Sequence, residues 1–501
     1  MASSTKPLAN SAPPPGFTGA GNYRWVWQAP VFALLGALAI YVVGSTRSVA
    51  GTILILLSPF MVGVVSIGLG QGFTKAIAIG KTLQWWHGLW FLAFFSGLIW
   101  RSVGGLNESP QDPVDATAGV RIVLEVILGL SLLMLLAARR RSWITSAVRG
   151  LPGGLFALGM IFLVSTVWSI FPAWTFVKSG EFLLDVALLA AMLVAIKSID
   201  DYENFLNWTW CIYGSLLAWI WVGIVLFPHD ALQRGVGTLG VQLFGIVPWV
   251  HANSVGEYAA ILAVVAVSRL LANTGGKQDR FWYTGILLFS LATLILAQTR
   301  SAIAGFVVAL VLMLFLSGRR ALNVFLLFSC AMLLLIGGVS TVALEFLQRG
   351  QDIHVVQQLT GRTQYWAIAW HKFLERPWTG YGAFAGGRFL VLTYFPVNHS
   401  QMHSDYFEIL IGTGFLGVAA IFAVLISTWY VLSRIYRRSS PGSLERILSI
   451  EAMGVLAVLT VRSFLNDTLI WHPYLPFLVV LGFAEFVRRQ GFSTPIRSRQ
   501  H

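Results

Sequence analysis

Apolar residues run along this chain in blocks of about 20, separated by short polar turns. Stretches such as VFALLGALAIYVVG (31–44) and IVLEVILGLSLLMLL (122–136) are typical. A helix rises about 1.5 Å per residue, so such a block crosses the hydrocarbon core of a bilayer. The pattern predicts spans near 25–44, 49–70, 82–100, 120–138, 151–171, 182–196 and 205–227. It continues with spans near 253–270, 281–298, 301–317, 321–343, 404–433, 449–466 and 470–487. The expected fold is therefore all-α and polytopic, with about 14 transmembrane helices. Residues 1–24, rich in Pro, Ser, Gly and Ala, form a disordered tail in this reading, spans 1–11 fill 25–343, and 491–501 is a second tail. One connection, 344–403, is far longer than a helix–helix turn. Within it GRTQYWAIAWHKFLERP (361–377) puts Trp366, Trp370, Phe373 and Leu374 at helical spacing, which predicts a helix lying on the membrane interface.

Composition agrees. The chain is 56% hydrophobic and 11% charged, against roughly 25% charged in soluble domains. The formal net charge of +13 raises nucleic acid as a partner, but the placement of the charges argues for membrane lipids instead. With an even span count both termini share a side. If that side is the cytoplasm, about 22 of the 34 basic residues fall there, among them Arg139, Arg140, Arg141, Arg319, Arg320, Arg437 and Arg438. The basic excess is then a topology signal, with anionic headgroups as its partner. Cys211 and Cys330 both lie in apolar runs, so no disulfide framework is indicated.

A few polar residues on the opposite, outer side stand out. Arg234 lies in QRGVGTLG, Arg300 in the tight turn QTRSAIAG, Arg362 at the start of the interfacial helix, and His403 at the head of HSDYFEILIGTGFLG. An arginine at a span end often only snorkels to the headgroups. Four such residues from four parts of the chain on one surface are a stronger signal. Guanidinium suits phosphate through its planar fork. Near a helix N-terminus the dipole favours neutral imidazole, a proton acceptor near pH 7. His399 is the alternative base. Asp405 and Glu408 read as first-turn acids, with Ser404 as a cap. In HANSVGEYAA, Ser254 and Glu257 fit a capping box, while Asn253 or His251 is a candidate sugar contact. No zinc spacing, H-E-x-x-H or P-loop occurs, so neither metal nor cofactor is expected.

The segments RGVGTLG…HANSVGEY, QTRSAIAG, GRTQYWAIAWHKFLERPWTGYG and HSDYFEILIGTGFLG resemble, in order and spacing, the O-antigen ligase and O-antigen polymerase family, over roughly 230–420. The resemblance implies a multi-pass bacterial inner-membrane glycosyltransferase, with both termini cytoplasmic and the active site facing the periplasm. Such enzymes move glycan from an undecaprenyl pyrophosphate carrier to an acceptor hydroxyl by inverting, metal-independent transfer. The acceptor is lipid A–core in ligases and another lipid-linked repeat unit in polymerases. By position, Arg234, Arg300 and Arg362 hold the pyrophosphate and His403 activates the acceptor, with Asp405, Glu408, Asn253 and His399 as support. Glu408 in particular is a candidate to hold Arg300 or Arg362. Two other classes fit parts of the pattern. A transporter of a lipid-linked oligosaccharide or small anion calls for ionisable groups near mid-membrane, whereas Asp185, Glu125 and Arg462 fall toward the ends of the predicted spans. A scaffold for envelope-polysaccharide assembly partners uses the long loop as its docking surface.

Overall fold

Helix starts in this chain are written locally. Ser198 accepts a hydrogen bond from the Asp201 amide, and Asp201 returns one to the Ser198 amide, closing a capping box. Ser443 caps another helix through the Arg446 amide. In the computed structural model these and similar signals open a set of long helices. The structure describes residues 82–98, 116–234, 239–246, 249–272, 276–319, 321–322, 362–395 and 401–491, all within the unit Lys75–His501. The predicted spans near 25–44 and 49–70, residues 323–361, and the tails 1–24 and 492–501 lie outside the described residues.

In chain order the helices are α1 (His87–Leu98), α2 (Ala116–Val148), α3 (Gly150–Val164), α4 (Pro172–Ala195) and α5 (Ile199–Leu226). After two small antiparallel ladders come α6 (Ala252–Ala272), α7 (Lys277–Ala297) and α8 (Arg300–Leu316). The long connection contributes α9 (Arg362–Glu375), and the chain continues with α10 (Asp405–Arg438), α11 (Leu444–Ser463) and α12 (Leu475–Gln490). The ladders are β1 (Leu232–Arg234) with β2 (Val241–Leu243), and β3 (Gly245–Ile246) with β4 (Trp249–Val250). Among the described residues six helices are long and apolar enough to cross a membrane, and α1 and α8 are shorter apolar helices.

The core is built on α6, whose small side chains let its neighbours approach closely. Ala259, Ala260, Ala263 and Ala266 are fully buried. On α11, a Cβ added at Gly454 would sit 2.6 Å from Met313 of α8 and 2.7 Å from Val264 of α6. On α8, one added at Gly305 would meet the Val458 backbone at 3.2 Å. The opposite surfaces are greasy: Leu130, Leu133 and Met134 of α2, and Ile426 and Tyr430 of α10, are more than half exposed, as lipid-facing positions should be.

Two boundaries differ from the expectation. α4 begins at Pro172 rather than near 182, so Asp185 lies in the middle of a helix and not at its end. The turn expected between spans near 466 and 470 is instead a non-helical segment over 464–474, folded into the bundle with Leu469 and Ile470 buried. Polar backbone can leave helical geometry at such depth only where protein groups satisfy it, and this segment is held that way.

Candidate active site

The site is assembled at the end of the bundle where α5, α7 and α11 finish and α6, α8, α10 and α12 begin. Its framework is backbone docked on backbone. α10 is broken at Gly414, which takes φ 67° and ψ −156°. The break leaves the carbonyls of Ile411 and Gly412 to accept from the amides of Tyr381 and Gly382, at 2.9 and 2.8 Å, while Phe415 N–H donates to the Pro377 carbonyl. Gly380, at φ 62°, lies so close that an added Cβ would be 2.5 Å from Gly412. Gly380, Gly412 and Gly414 serve this contact, since no side chain fits between the two segments, whereas Gly382, at φ 100°, is pressed against Ser169.

On that framework α9 buries Tyr365, Ala369 and Phe373, the first two in a cluster with Tyr381, Val391, Leu392, Met402 and Ile411. Trp366 stacks on Phe407 at 5.0 Å and donates its indole N–H to the Met402 carbonyl at 3.1 Å. The predicted lipid-facing stripe is therefore divided. Trp370 and Leu374 are exposed, but Trp366 and Phe373 pack inward. This seat fixes Arg362, the first residue of α9, whose Nη1 donates to the Leu465 carbonyl.

Arg362 lies near enough to Arg300 and Arg462 for the three cations to repel one another. Burial first, then those two neighbours, lower its pKa, while Asp467 opposes them. Arg300 opens α8 after the left-handed Gln298 and the cap Thr299, whose hydroxyl donates to the Ala252 carbonyl at 2.9 Å. The β1–β2 hairpin is stitched to the same turn: Gln242 donates to the Ala297 carbonyl at 2.8 Å, and Gln298 to the Val241 carbonyl at 2.5 Å. Val241 is the ladder partner of Arg234, so the backbone at Arg234 is brought beside the Arg300 turn.

His403 is half-buried and precedes the cap of α10. Its φ is 54°, a left-handed conformation that costs a non-glycine residue about 1–2 kcal/mol. Such strain gathers at functional positions. Beside it lies Asp467, with both carboxylate oxygens shut off from solvent and no hydrogen bond of good geometry. Burial pushes this carboxyl up to about 7, against the opposing pull of Arg362, the nearby amides of His403 and Ser404, and Arg462.

The support roles come out differently from the expectation. Glu408 holds neither Arg300 nor Arg362. It accepts from the Met402 amide at 3.4 Å and fills the space over Gly387. Asp405 does not merely face the helix dipole: it receives the amides of Thr468 and Leu469 at 2.9 and 3.0 Å. Ser404 sits at the cap position but donates to the Ser463 carbonyl instead of capping. Glu257 forms no capping box with Ser254, since its carboxylate is 2.9 Å from Arg462. Asn253 lies in the first turn of α6, where its amide donates to His251 Nδ1 at 3.1 Å. His399 lies outside the described residues.

Sequence alone does not single out Asp467 or the Leu465 carbonyl, and it offers Arg462 only as a transport group. Arg462 also donates to Ser301, next to Arg300, at 3.1 Å. The stretch RSFLND (462–467) carried a signal: an arginine and an aspartate at one span end, on the side where Arg300 and Arg362 lie.

A family model described as O-antigen ligase matches residues 285–422. That match supports the resemblance to the O-antigen ligase and polymerase family over this part of the chain. It spans Arg300, α9, the glycine contact and His403. Arg234 and Asn253 precede it, and Arg462 and Asp467 follow it. No curated protein matches the chain. This likeness supports an enzyme of glycan transfer and polysaccharide assembly with lipid-linked glycan and acceptor substrates, and the apolar helices support a multi-pass membrane protein.

Proposed function

We propose that the protein transfers glycan from undecaprenyl pyrophosphate to an acceptor hydroxyl at the periplasmic face of the bacterial inner membrane. In this reading Arg300 and Arg362, with Arg234 at the edge, bind the diphosphate through charge-assisted hydrogen bonds. His403 accepts the proton of the acceptor hydroxyl as its oxygen attacks the anomeric carbon. The bond from that carbon to the diphosphate oxygen breaks, and undecaprenyl pyrophosphate departs with the electron pair. Attack opposite the leaving group inverts the anomeric centre. The leaving group needs charge stabilisation more than a proton, and fixed guanidiniums in a site shielded from water supply it. The acceptor is either lipid A–core or the end of another lipid-linked glycan.

The observation that carries this reading is the meeting of Arg300 and Arg362 from distant parts of the matched segment, with Asp467 bridging the space between Arg362 and the strained His403. Purified protein in proteoliposomes, given undecaprenyl pyrophosphate glycan with or without lipid A–core, tests it. Longer chains without core mean a polymerase, and capture by core means a ligase. Substrate flux with no glycan product would instead make it a transporter. Asp185 does lie mid-helix, as a transport group should, but it is closed off in ion pairs described next.

A further inference from the structure

The segment 464–474 is held at two ends by unrelated groups. At the near end Leu465 takes the Arg362 hydrogen bond, and Asp405 grips the amides of Thr468 and Leu469. At the far end His472 reaches into a buried cluster of charges that touches none of the diphosphate-binding candidates. Its Nδ1 is 2.8 Å from Asp185 of α4, and its Nε2 is 2.8 Å from the Ser96 hydroxyl of α1. The Ser96 hydroxyl already donates to the Ala93 carbonyl at 2.8 Å, so it accepts from the ring. With Asp185 on one nitrogen and an acceptor hydroxyl on the other, His472 and Asp185 share a proton as a buried acid–base pair.

Around it the charges balance. Glu125 of α2 is 3.8 Å from His472 and 3.1 Å from Arg121. Arg121 meets Glu181 at 2.8 Å, and Lys178 meets Glu181 at 2.7 Å. Three basic side chains thus face three carboxyl groups, and the side chains of His472, Asp185 and Glu181 are at most 4% exposed. Neighbouring residues of the segment lock into the same place. Trp471 packs edge-on to Phe384 and lies under Lys178. Pro473 fills the space at Gly97, where an added Cβ would be 1.9 Å away. Buried ion clusters contribute little to stability compared with apolar packing of the same volume. What they do supply is a single permitted register, because any slip leaves a charge buried and unpaired.

We propose that His472 is a positioning residue. Its lock on Asp185 and Ser96 fixes the 464–474 segment, so that the Leu465 carbonyl and Asp467 meet Arg362 at the place where the diphosphate binds. This rests on the glycan-transfer reading of the Arg362 site. A misplacement of about 1 Å at a reacting centre costs on the order of 100-fold, so a loosened segment should weaken donor use strongly.

Two variants test the lock: His472→Ala, and His472→Gln combined with Asp185→Asn, which leaves no unpaired buried charge. Hydrogen–deuterium exchange of the intact protein should rise at the Thr468 and Leu469 amides in both. The KM for undecaprenyl pyrophosphate glycan, and the Kd for undecaprenyl pyrophosphate itself, should rise at least tenfold, with kcat changed less. Glu203→Gln, in a separate ion cluster, should move neither local exchange nor KM. Wild-type exchange at 464–474, or raised exchange with unchanged KM and Kd, overturns the proposal. If wild-type protein makes no glycan product, the transfer reading fails, and the exchange and binding measurements still decide whether His472 sets the Arg362 site.

Discussion

Two arginines at opposite ends of α6 and its neighbours are held in contrasting ways. Arg269, near the end of α6, meets Glu451 at 2.7 Å and Glu203 at 2.6 Å, and Trp210 donates to the same Glu451 carboxylate at 2.9 Å. Its charge is spent within the protein. Arg362 donates to a neutral carbonyl, and the nearby acid, Asp467, is one that burial pushes toward neutrality. A cation fixed by neutral groups keeps its field for an incoming anion. The first arrangement ties helices together, and the second is what the proposed diphosphate site requires.

The largest effect that probes this contrast is at His403. His403→Gly should lower glycan transfer by about 100- to 10,000-fold, the usual worth of a general base. The same change should raise thermal stability slightly, since glycine takes φ 54° without strain. A variant that is both less stable and inactive would instead mean that the histidine holds the fold. Next, Arg362→Ala should cost about 100- to 1,000-fold in transfer with little change in melting temperature. Arg362→Lys should not restore it, because an ammonium lacks the planar fork. Arg269→Ala should do the reverse. It leaves Glu451, 1% exposed, without its cation, which should cost about 3–5 kcal/mol of stability. Thermal unfolding in detergent alongside initial rates separates the two outcomes.

Much of this arrangement is visible in the sequence. Runs of apolar residues predict helices where α1 to α8 and α10 to α12 stand, and the arginine and histidine positions follow from asking which polar groups a bilayer tolerates at span ends. What sequence cannot show is pairing between distant helices. Glu257 reads locally as a capping residue, three positions after Ser254, but the low-dielectric interior gives a far larger return for meeting Arg462. Asp405 and Glu408 satisfy the dipole rule for a first turn, yet their oxygens are taken by amides of other segments. The 464–474 segment reads as a short turn because Leu469, Ile470 and Trp471 extend the apolar run. Its true shape depends on Asp405, Asp185 and Ser96, all more than 50 positions away in sequence.

The glycine contact between the loop and α10 offers a smaller, structural test of the same end of the bundle. Gly380→Ala places a Cβ in the left-handed region, at about 1–2 kcal/mol, and against the Gly412 backbone at 2.5 Å. The α9 seat should loosen, so both melting temperature and transfer should fall. Gly180→Ala, inside α4 where nothing lies within 4 Å of the added Cβ, should lower neither.

The smallest expected effect is the most specific to how Arg362 keeps its charge. The Asp467 carboxyl is raised by burial from 3.8 to about 7. A raised carboxyl favours the folded state in acid, and that contribution is lost as pH climbs through about 7. Over the same range the acid ionises beside Arg362 and opposes an incoming diphosphate. Donor KM should therefore rise above pH 7, by roughly fivefold for an interaction of about 1 kcal/mol. Asp467→Asn should flatten that rise, leave a low KM at all pH values, and make the protein more stable at alkaline pH. It should not remove the fall in kcat at acid pH, because His403 must still be neutral to accept a proton. If Asp467→Asn instead removes the acid limb of kcat and leaves KM pH-dependent, Asp467 and not His403 is the base.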